Sequence, residues 1–249
     1  MVAVGRATRL LEYALGHDKS YCGDIVLGAS TDTDDAEGSV ISVADPGGVG
    51  LDQVVSGLSS LLGEIEQVPP RYSAIKLQGK KAYELARKGQ RVELSPRRVR
   101  IKAIAVLGWE PPTISIVVIC SKGTYIRSLA RDLGERLGVG GHLGALIRLS
   151  SGPFKLEDAI RVEELKLAAE VGYLDELILP MDFAVTNLPA IIVEDEHARD
   201  MWGGRRWPIR AQQVPTGPVR VYSTEGIFLG IAEAADGKWQ PRLVLAEDR

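Results

Sequence analysis

The sequence predicts an α+β fold: a larger domain built on a mixed β-sheet with flanking helices, followed by a small β-rich domain. Three observations carry this expectation. The length, 249 residues, suits one large domain plus one small one. Period-two stretches are interleaved with stretches whose apolar residues recur at helical spacing. After Pro180-Met181-Asp182 the character changes to short strands between Gly/Pro turns. The division is expected as 1–185 and 186–249.

The elements follow in order. Arg6 to Leu15 reads as a short helix and Ser20 to Gly28 as a strand. Thr31 to Gly38 is an acidic loop. Leu51 to Glu66 carries apolar residues at helical spacing, with Asp45-Pro46-Gly47-Gly48 as the turn ahead and Pro69-Pro70 as the stop. Lys80 to Lys88 predicts a short helix ended by Gly89. Val99 to Leu107 and Thr113 to Cys120 read as neighbouring strands joined at Glu110-Pro111-Pro112. Tyr125 to Leu137 is helical, stopped by Gly138-Val139-Gly140-Gly141, and Glu157 to Val171 is a further helix. From about Asn187 onward, strands such as Val219–Tyr222 and Ile227–Ile231 form the small β-rich part.

Composition excludes several classes. Hydrophobic residues make up 45% and charged residues 25%, as in ordinary soluble proteins. No apolar run approaches the roughly 20 residues that span a bilayer, and the first six residues do not read as a signal peptide. Cys22 and Cys120 cannot form a disulfide framework, nor a zinc site with the scattered His17, His142 and His197. A reducing cytoplasm is the natural expectation. Net charge is only -3, but its distribution is uneven: Met1 to Pro70 holds three Lys/Arg against eleven Asp/Glu, and Arg71 to Lys102 holds eleven against two. That basic island is either an electrostatic footprint for phosphates or a solvated surface.

Four segments carry candidate chemistry. The loop Thr31-Asp32-Thr33-Asp34-Asp35-Ala36-Glu37-Gly38 invites a calcium reading, yet Ala36 falls on a ligand position and the glycine comes one place late. Just before it, Tyr21 opens a strand, either as a core or rim aromatic or as a platform for an unstacked base. In the stretch from Gly63 to Gly89, basic residues (Lys76, Lys80, Lys81, Arg87, Lys88) interleave with Tyr72 and Tyr83, as an RNA-gripping arm requires. In Cys120-Ser121-Lys122-Gly123-Thr124-Tyr125-Ile126-Arg127, a strand ends, a glycine turn follows and a helix begins. An arginine in the already electropositive first turn is either simply exposed or pairs with a carboxylate from another segment. Gly141-His142-Leu143-Gly144-Ala145-Leu146-Ile147-Arg148-Leu149, then Gly152-Pro153-Phe154, reads alone only as a buried strand or helix followed by a turn.

Taken together, the order and wording of these segments resemble the bacterial TruB-type tRNA pseudouridine synthases. The matching phrases are Gly5-Arg6-Ala7-Thr8, Asp18-Lys19-Ser20-Tyr21, Thr31-Asp32-Thr33, Gly63-Glu64-Ile65-Glu66-Gln67, Tyr72-Ser73-Ala74, Gly79-Lys80-Lys81, Cys120 to Arg127, and Gly141-His142. The likeness is dense over about residues 5 to 155 and weaker in the tail, which looks like a small PUA-type RNA-binding module.

The resemblance implies conversion of the uridine at position 55, in the TΨC arm of tRNA, to pseudouridine, with the base flipped out of the RNA and with no cofactor or metal. It implies that Tyr21 stacks on the flipped base, that Tyr125 contacts it and handles the C5 proton, that Leu146 packs against the nucleotide, and that Arg127 pairs with the catalytic aspartate. Asp35 falls on another acidic position of the family's cleft. The expected partner is the T arm of tRNA, with Tyr72, Lys76, Lys80, Lys81, Arg87 and Lys88 as RNA contacts. No membrane and no obligate protein partner are expected, and the chain is expected to be a monomer. The family's nucleophile lies in a Gly-x-Leu-Asp-Pro-x-Ala-x-Gly loop just ahead of the segment matching Val2 to Thr8, and the chain begins after it. The sequence is therefore expected to be a fragment of an enzyme, inactive as it stands. The rival reading is a non-catalytic tRNA-binding or tRNA-folding protein of the same descent; a metal-dependent enzyme using the acidic loop is the remaining alternative.

Overall fold

The computed structural model describes residues 1–73, 75–77, 80–82, 94–210 and 213–245, with the main chain alone for 76–77 and 80–81. In chain order the elements are α1 (Leu11–Ala14), β1 (Lys19–Leu27), β2 (Ala29–Thr31), β3 (Val40–Val43), α2 (Leu51–Ser59), β4 (Gly63–Gln67), β5 (Lys76–Leu77), β6 (Lys80–Lys81), β7 (Arg97–Glu110), β8 (Thr113–Cys120), α3 (Ile126–Arg136), β9 (Gly141–Ser151), β10 (Phe154–Lys155), α4 (Val162–Glu170), β11 (Ala190–Val193), α5 (Asp195–Trp202), β12 (Trp207–Pro208), β13 (Pro218–Ser223), β14 (Phe228–Ala235) and β15 (Lys238–Val244). No helix among the described residues is long and apolar enough to cross a membrane.

By packing the chain divides into two units, His17–Ser151 with Lys155–Glu157, and Met1–Gly16 with Gly152–Phe154 and Asp158–Arg249. The packing division therefore crosses the expected line at 185/186. The first sixteen residues group with the C-terminal part: Leu10 is fully buried in one cluster with Val185, Ile231, Leu243 and Leu245. Nothing in the N-terminal residues themselves signals this pairing.

The first unit is built on a six-stranded sheet in the order β10-β9-β1-β8-β7-β4, with antiparallel pairing at β9-β1, β1-β8, β8-β7 and β7-β4. β1 alternates strictly, with Tyr21, Gly23, Ile25 and Leu27 buried and the residues between half-buried, as one covered sheet face demands. The buried face meets α2 through Val54 and Leu58 and α3 through Ile126, Leu129, Ala130 and Leu133, forming one apolar core. Gly134 lets α3 approach the chain at its own exit: a Cβ there would lie 2.2 Å from Gly140 C and Gly141 N. The second unit carries a five-stranded sheet, β11-β13-β14-β15-β12, parallel at β11-β13 and otherwise antiparallel, over a core including Met201, Trp207, Val219, Val221 and Leu229.

Several expectations need correction. The helix expected over Leu51–Glu66 ends at Ser59, and Gly63–Gln67 is the edge strand β4. Gly63 takes φ +87, which stops helical continuation, and Glu64-Ile65-Glu66 alternates exposed and half-buried. Lys80–Lys81 pairs with Lys76–Leu77 as a hairpin, so the expected helix does not start at Lys80; Ala82 is helical, and the rest of the expected helix, with Tyr83, Arg87, Lys88 and Gly89, lies outside the described residues. Gly141–Ser151 is a strand exposed over Gly144–Arg148 and half-buried at its end, where a buried element was expected. The expected helix from Glu157 begins only at Val162, where the Glu164 carboxylate accepts the Arg161 N–H at 3.2 Å. Its start is thus set by a capping contact.

Candidate active site

The site grows from the N-terminal end of α3. Tyr125 stands just before the helix in extended conformation, φ -106 and ψ 114. Its main chain is held by a side chain from the edge strand: Gln67 Oε1 accepts the Tyr125 N–H at 2.9 Å, and Gln67 Nε2 donates to the Tyr125 carbonyl at 3.1 Å. One helical turn further, Ser128 Oγ donates to the Val68 carbonyl at 2.8 Å, and Arg131 Nη2 donates to the same oxygen at 2.8 Å. The strand end and the helix start are thereby fastened together before any charged pair is considered.

Arg127 is the centre of the charged network. Its Nη1 lies 2.9 Å from Asp35 Oδ2, and both side chains are about three-quarters buried, at 26% and 23% exposure. Nη2 donates to the Tyr72 carbonyl at 2.9 Å, and Nη1 makes a longer contact of 3.4 Å to the Thr33 carbonyl. The sequence left open whether Arg127 is exposed or paired; it is paired, with Asp35. Tyr72, expected as an RNA contact, enters this network through its main-chain oxygen.

The acidic loop is shaped to present that carboxylate. Asp34 adopts φ +62, a left-handed conformation that aspartate tolerates better than most residues. Thr33 Oγ1 donates to Asp35 Oδ1 at 2.5 Å, the Glu37 N–H donates to the same oxygen at 3.2 Å, and Thr31 Oγ1 donates to the Asp35 carbonyl at 2.7 Å. The loop is stitched to β9: Leu143 N–H reaches the Asp34 carbonyl at 3.0 Å, and Ala36 N–H reaches the Leu143 carbonyl at 2.9 Å. Asp34 itself pairs with Arg131 at 2.8 Å, and Arg131 also binds Asp132 at 2.8 Å. Burial pushes the Asp34 carboxyl above the usual range, although the Arg131 charge pulls the other way. Burial works against the Arg131 charge too, but Asp132 and Asp34 more than compensate and hold its pKa high. No cluster of metal-ligating side chains occurs among the described residues; Asp34 and Asp35 pair with arginines, and Asp32 accepts the Ser39 N–H.

The remaining expected residues lie along β1 and β9. Tyr21 is paired with Arg148, and Gly23 with Leu146. Tyr21 is only 7% exposed and belongs to the apolar core, and the Arg148 guanidinium carbon lies 5.5 Å from its ring centroid. Of the two readings the sequence left open, the structure shows the core aromatic, with a cation over its ring. Leu146 is 43% exposed. Leu143, which anchors the acidic loop, sits opposite Ile25 on the same pair of strands, so Asp35 is tied to the strand that carries Tyr21. In the basic island, Arg98 and Arg100 of β7 are exposed but register with Glu66 and Glu64 of β4. Their field is partly answered across the ladder, so the island's footprint is narrower than its composition implies.

Sequence reasoning did not single out Gln67, Ser128 or Arg131. Gln67 could have been flagged as a buried-phase polar residue in the alternation Glu64-Ile65-Glu66-Gln67, had that stretch been read as a strand.

Comparison with known proteins now decides the family. A model described as TruB family pseudouridylate synthase (N-terminal domain) matches residues 1–126, and one of the tRNA pseudouridylate synthase B C-terminal domain matches residues 127–186. The chain belongs to the TruB family of pseudouridine synthases. A third model, pseudouridine synthase II TruB, C-terminal, matches residues 189–245, the β-rich end of the chain. Among individual relatives, tRNA pseudouridine synthase B of Trichormus variabilis is 41% identical over 247 residues, covering 98% of this chain and 83% of the relative. That of Thiobacillus denitrificans is 42% identical over 242 residues, covering 97% and 80%. Solved TruB-like folds match as well. A Cbf5-Nop10-Gar1 complex superposes with TM-score 0.70 at 26% identity, and an H/ACA RNP bound to a substrate RNA containing 2'-deoxyuridine with TM-score 0.68 at 24% identity. This chain covers 93% of itself in both, but spans only 64% and 63% of those chains, less than two thirds of their length. The α+β fold expected from sequence is that of these neighbours.

Proposed function

We propose that this chain carries the substrate side of a tRNA uridine isomerase acting on position 55 of the T arm. Relatives about 40% identical over nearly the whole chain bear the name tRNA pseudouridine synthase B, and this supports tRNA as the substrate. The observation that carries the reading is the Arg127–Asp35 pair at the start of α3, beside Tyr125 and tied through Leu143 to the strand of Tyr21.

The reaction is a balanced isomerisation. The N1–C1′ bond breaks, the base turns, a C5–C1′ bond forms, and the proton lost from C5 is matched by one gained at N1. In this reading Tyr21 and Leu146 flank the flipped base, and Tyr125 stands at the C5 proton. Arg127 is preorganised by Asp35 and two main-chain carbonyls to hold a nucleophilic carboxylate.

The chain's own carboxylates near the site are engaged elsewhere. Asp34 and Asp35 pair with arginines, Asp18 pairs with Lys102, Asp24 accepts from Ser115, and Asp32 accepts the Ser39 N–H. The 249 residues contain no Gly-x-Leu-Asp-Pro phrase. The 249-residue chain is therefore proposed to bind tRNA without turnover, since a missing nucleophile is not replaced by orientation. The test is pseudouridine-specific chemical detection on unmodified tRNA transcript after incubation with the purified chain. Binding without product is expected; turnover by these residues alone would refute the assignment, and adding a Gly-x-Leu-Asp-Pro segment ahead of Met1 should restore it. The rival reading, a non-catalytic tRNA-binding protein of the same family, predicts no product even with that segment added.

A further inference from the structure

We infer that Gln67 is a positioning residue: its carboxamide sets the main chain of Tyr125, and so the place from which the Tyr125 ring and the Arg127 guanidinium enter the site. The inference rests on the reading that Tyr125 contacts the flipped base.

Gln67 ends the edge strand β4 with only 1% of its surface exposed. Both polar atoms of its amide serve one residue 58 positions away, accepting from the Tyr125 N–H at 2.9 Å and donating to the Tyr125 carbonyl at 3.1 Å. This is the two-point pattern of a strand ladder, made here by a side chain. A single bond would leave either the oxygen or the nitrogen of the buried carboxamide unpaired and the peptide free to rotate about it. Two bonds of opposite sense fix its orientation as well.

The gripped residue is a junction. The chain leaves β8 at Cys120, turns through Ser121 to Thr124, and enters the helix at Ile126. The Tyr125 side chain itself makes no capping hydrogen bond. The Tyr125 carbonyl also accepts the first helical bond, from Leu129 N–H at 3.1 Å. Gln67 thus holds the peptide through which strand direction becomes helix direction. The other links between α3 and the 67–72 segment run the opposite way, from helix side chains of Arg127, Ser128 and Arg131 to main-chain carbonyls. Changing the Gln67 side chain therefore acts on the placement of Tyr125 and leaves those donors in being. Glutamate would keep the acceptor for Tyr125 N–H but turn a second lone-pair oxygen on the Tyr125 carbonyl. Leucine would remove both bonds at similar volume.

The experiment uses the 249-residue chain and a T-arm stem–loop RNA carrying 5-fluorouridine at the target position. RNA affinity is read by fluorescence anisotropy and the environment of the base by 19F NMR. For the unsubstituted chain a bound resonance displaced from the free one is expected. Gln67→Leu and Gln67→Glu should bind the stem–loop within about threefold of it, because phosphate contacts dominate affinity. The displaced resonance should lose about fivefold or more of its population. Ile114→Val, a buried trimming at the far end of β8, serves as the stability control and should keep the displaced resonance. Retention of the resonance in both Gln67 variants, or equal loss in Ile114→Val, would overturn the inference. Absence of any displaced resonance in the unsubstituted chain would instead overturn the base-contact reading of Tyr125, and the inference with it.

Discussion

Replacing Arg131 with methionine tests whether the buried charge network holds the site together. The substitution keeps the aliphatic stem but removes the guanidinium that binds Asp34 at 2.8 Å, Asp132 at 2.8 Å and the Val68 carbonyl at 2.8 Å. Breaking a fully buried pair by deleting one partner costs about 3–5 kcal/mol. Here the two side chains retain 19% and 14% exposure, so water relieves part of the penalty and about 2–3 kcal/mol is expected. For a chain of this size that corresponds to a fall in melting temperature of roughly 4–12 °C. The loss should also depend on pH. Asp34 has a raised folded-state pKa, chiefly from burial. A raised carboxyl binds its proton more readily folded than unfolded, so its favourable contribution is present at low pH and is lost as pH rises through the folded value. Without Arg131 the folded value climbs further. The deficit of Arg131→Met should therefore be largest near neutrality and shrink as pH falls toward the ordinary aspartate range. Urea unfolding by circular dichroism at several pH values measures it, and hydrogen exchange of the 126–136 peptide places it at α3. A deficit below about 1 kcal/mol, the range of exposed pairs, or one unchanged with pH, would refute the reasoning.

Other consequences follow from the same geometry. Asp35→Asn keeps the shape of the loop but weakens its hold on Arg127; about 1 kcal/mol of stability should be lost, and any turnover restored by an added Gly-x-Leu-Asp-Pro segment should fall much further than binding. Gly134→Ala places a Cβ 2.2 Å from the Gly140–Gly141 peptide and should destabilise by about 1–3 kcal/mol through forced backbone shifts, measured by thermal melting, with no effect confined to RNA. Replacing Lys76, Lys80 and Lys81 together with alanine should weaken tRNA binding and lower the salt slope of log affinity by about 2–3; an unchanged slope in a salt titration would show that the hairpin is no phosphate contact.

Much of the sheet was legible in the sequence because its signal is local. Ser20–Gly28 and Thr113–Cys120 were recognisable as strands from their short, bounded apolar patterns, although their runs Ile25-Val26-Leu27 and Val117-Val118-Ile119-Cys120 left the buried face to the structure. The α3 helix was equally readable from its apolar spacing and glycine stop. Leu51–Glu66 misled because its apolar residues continue at helical spacing past Ser59, while the left-handed turn at Gly63 that converts the chain to a strand is a single residue. The phrases Asp18-Lys19-Ser20-Tyr21, Thr31-Asp32-Thr33, Cys120 to Arg127 and Gly141-His142 were among those that carried the family, since wording and order survive without any knowledge of contacts. What the sequence could not determine was partnership. Arg127 and Asp35 lie 92 positions apart, and only the β1-β9 register, which carries the acidic loop on Leu143, brings them within 2.9 Å. The grip of Gln67 on Tyr125 and the burial of Leu10 among Val185, Ile231 and Leu243 are of the same kind. Such contacts depend on where whole elements dock, a property of the packed core and not of any window of the chain.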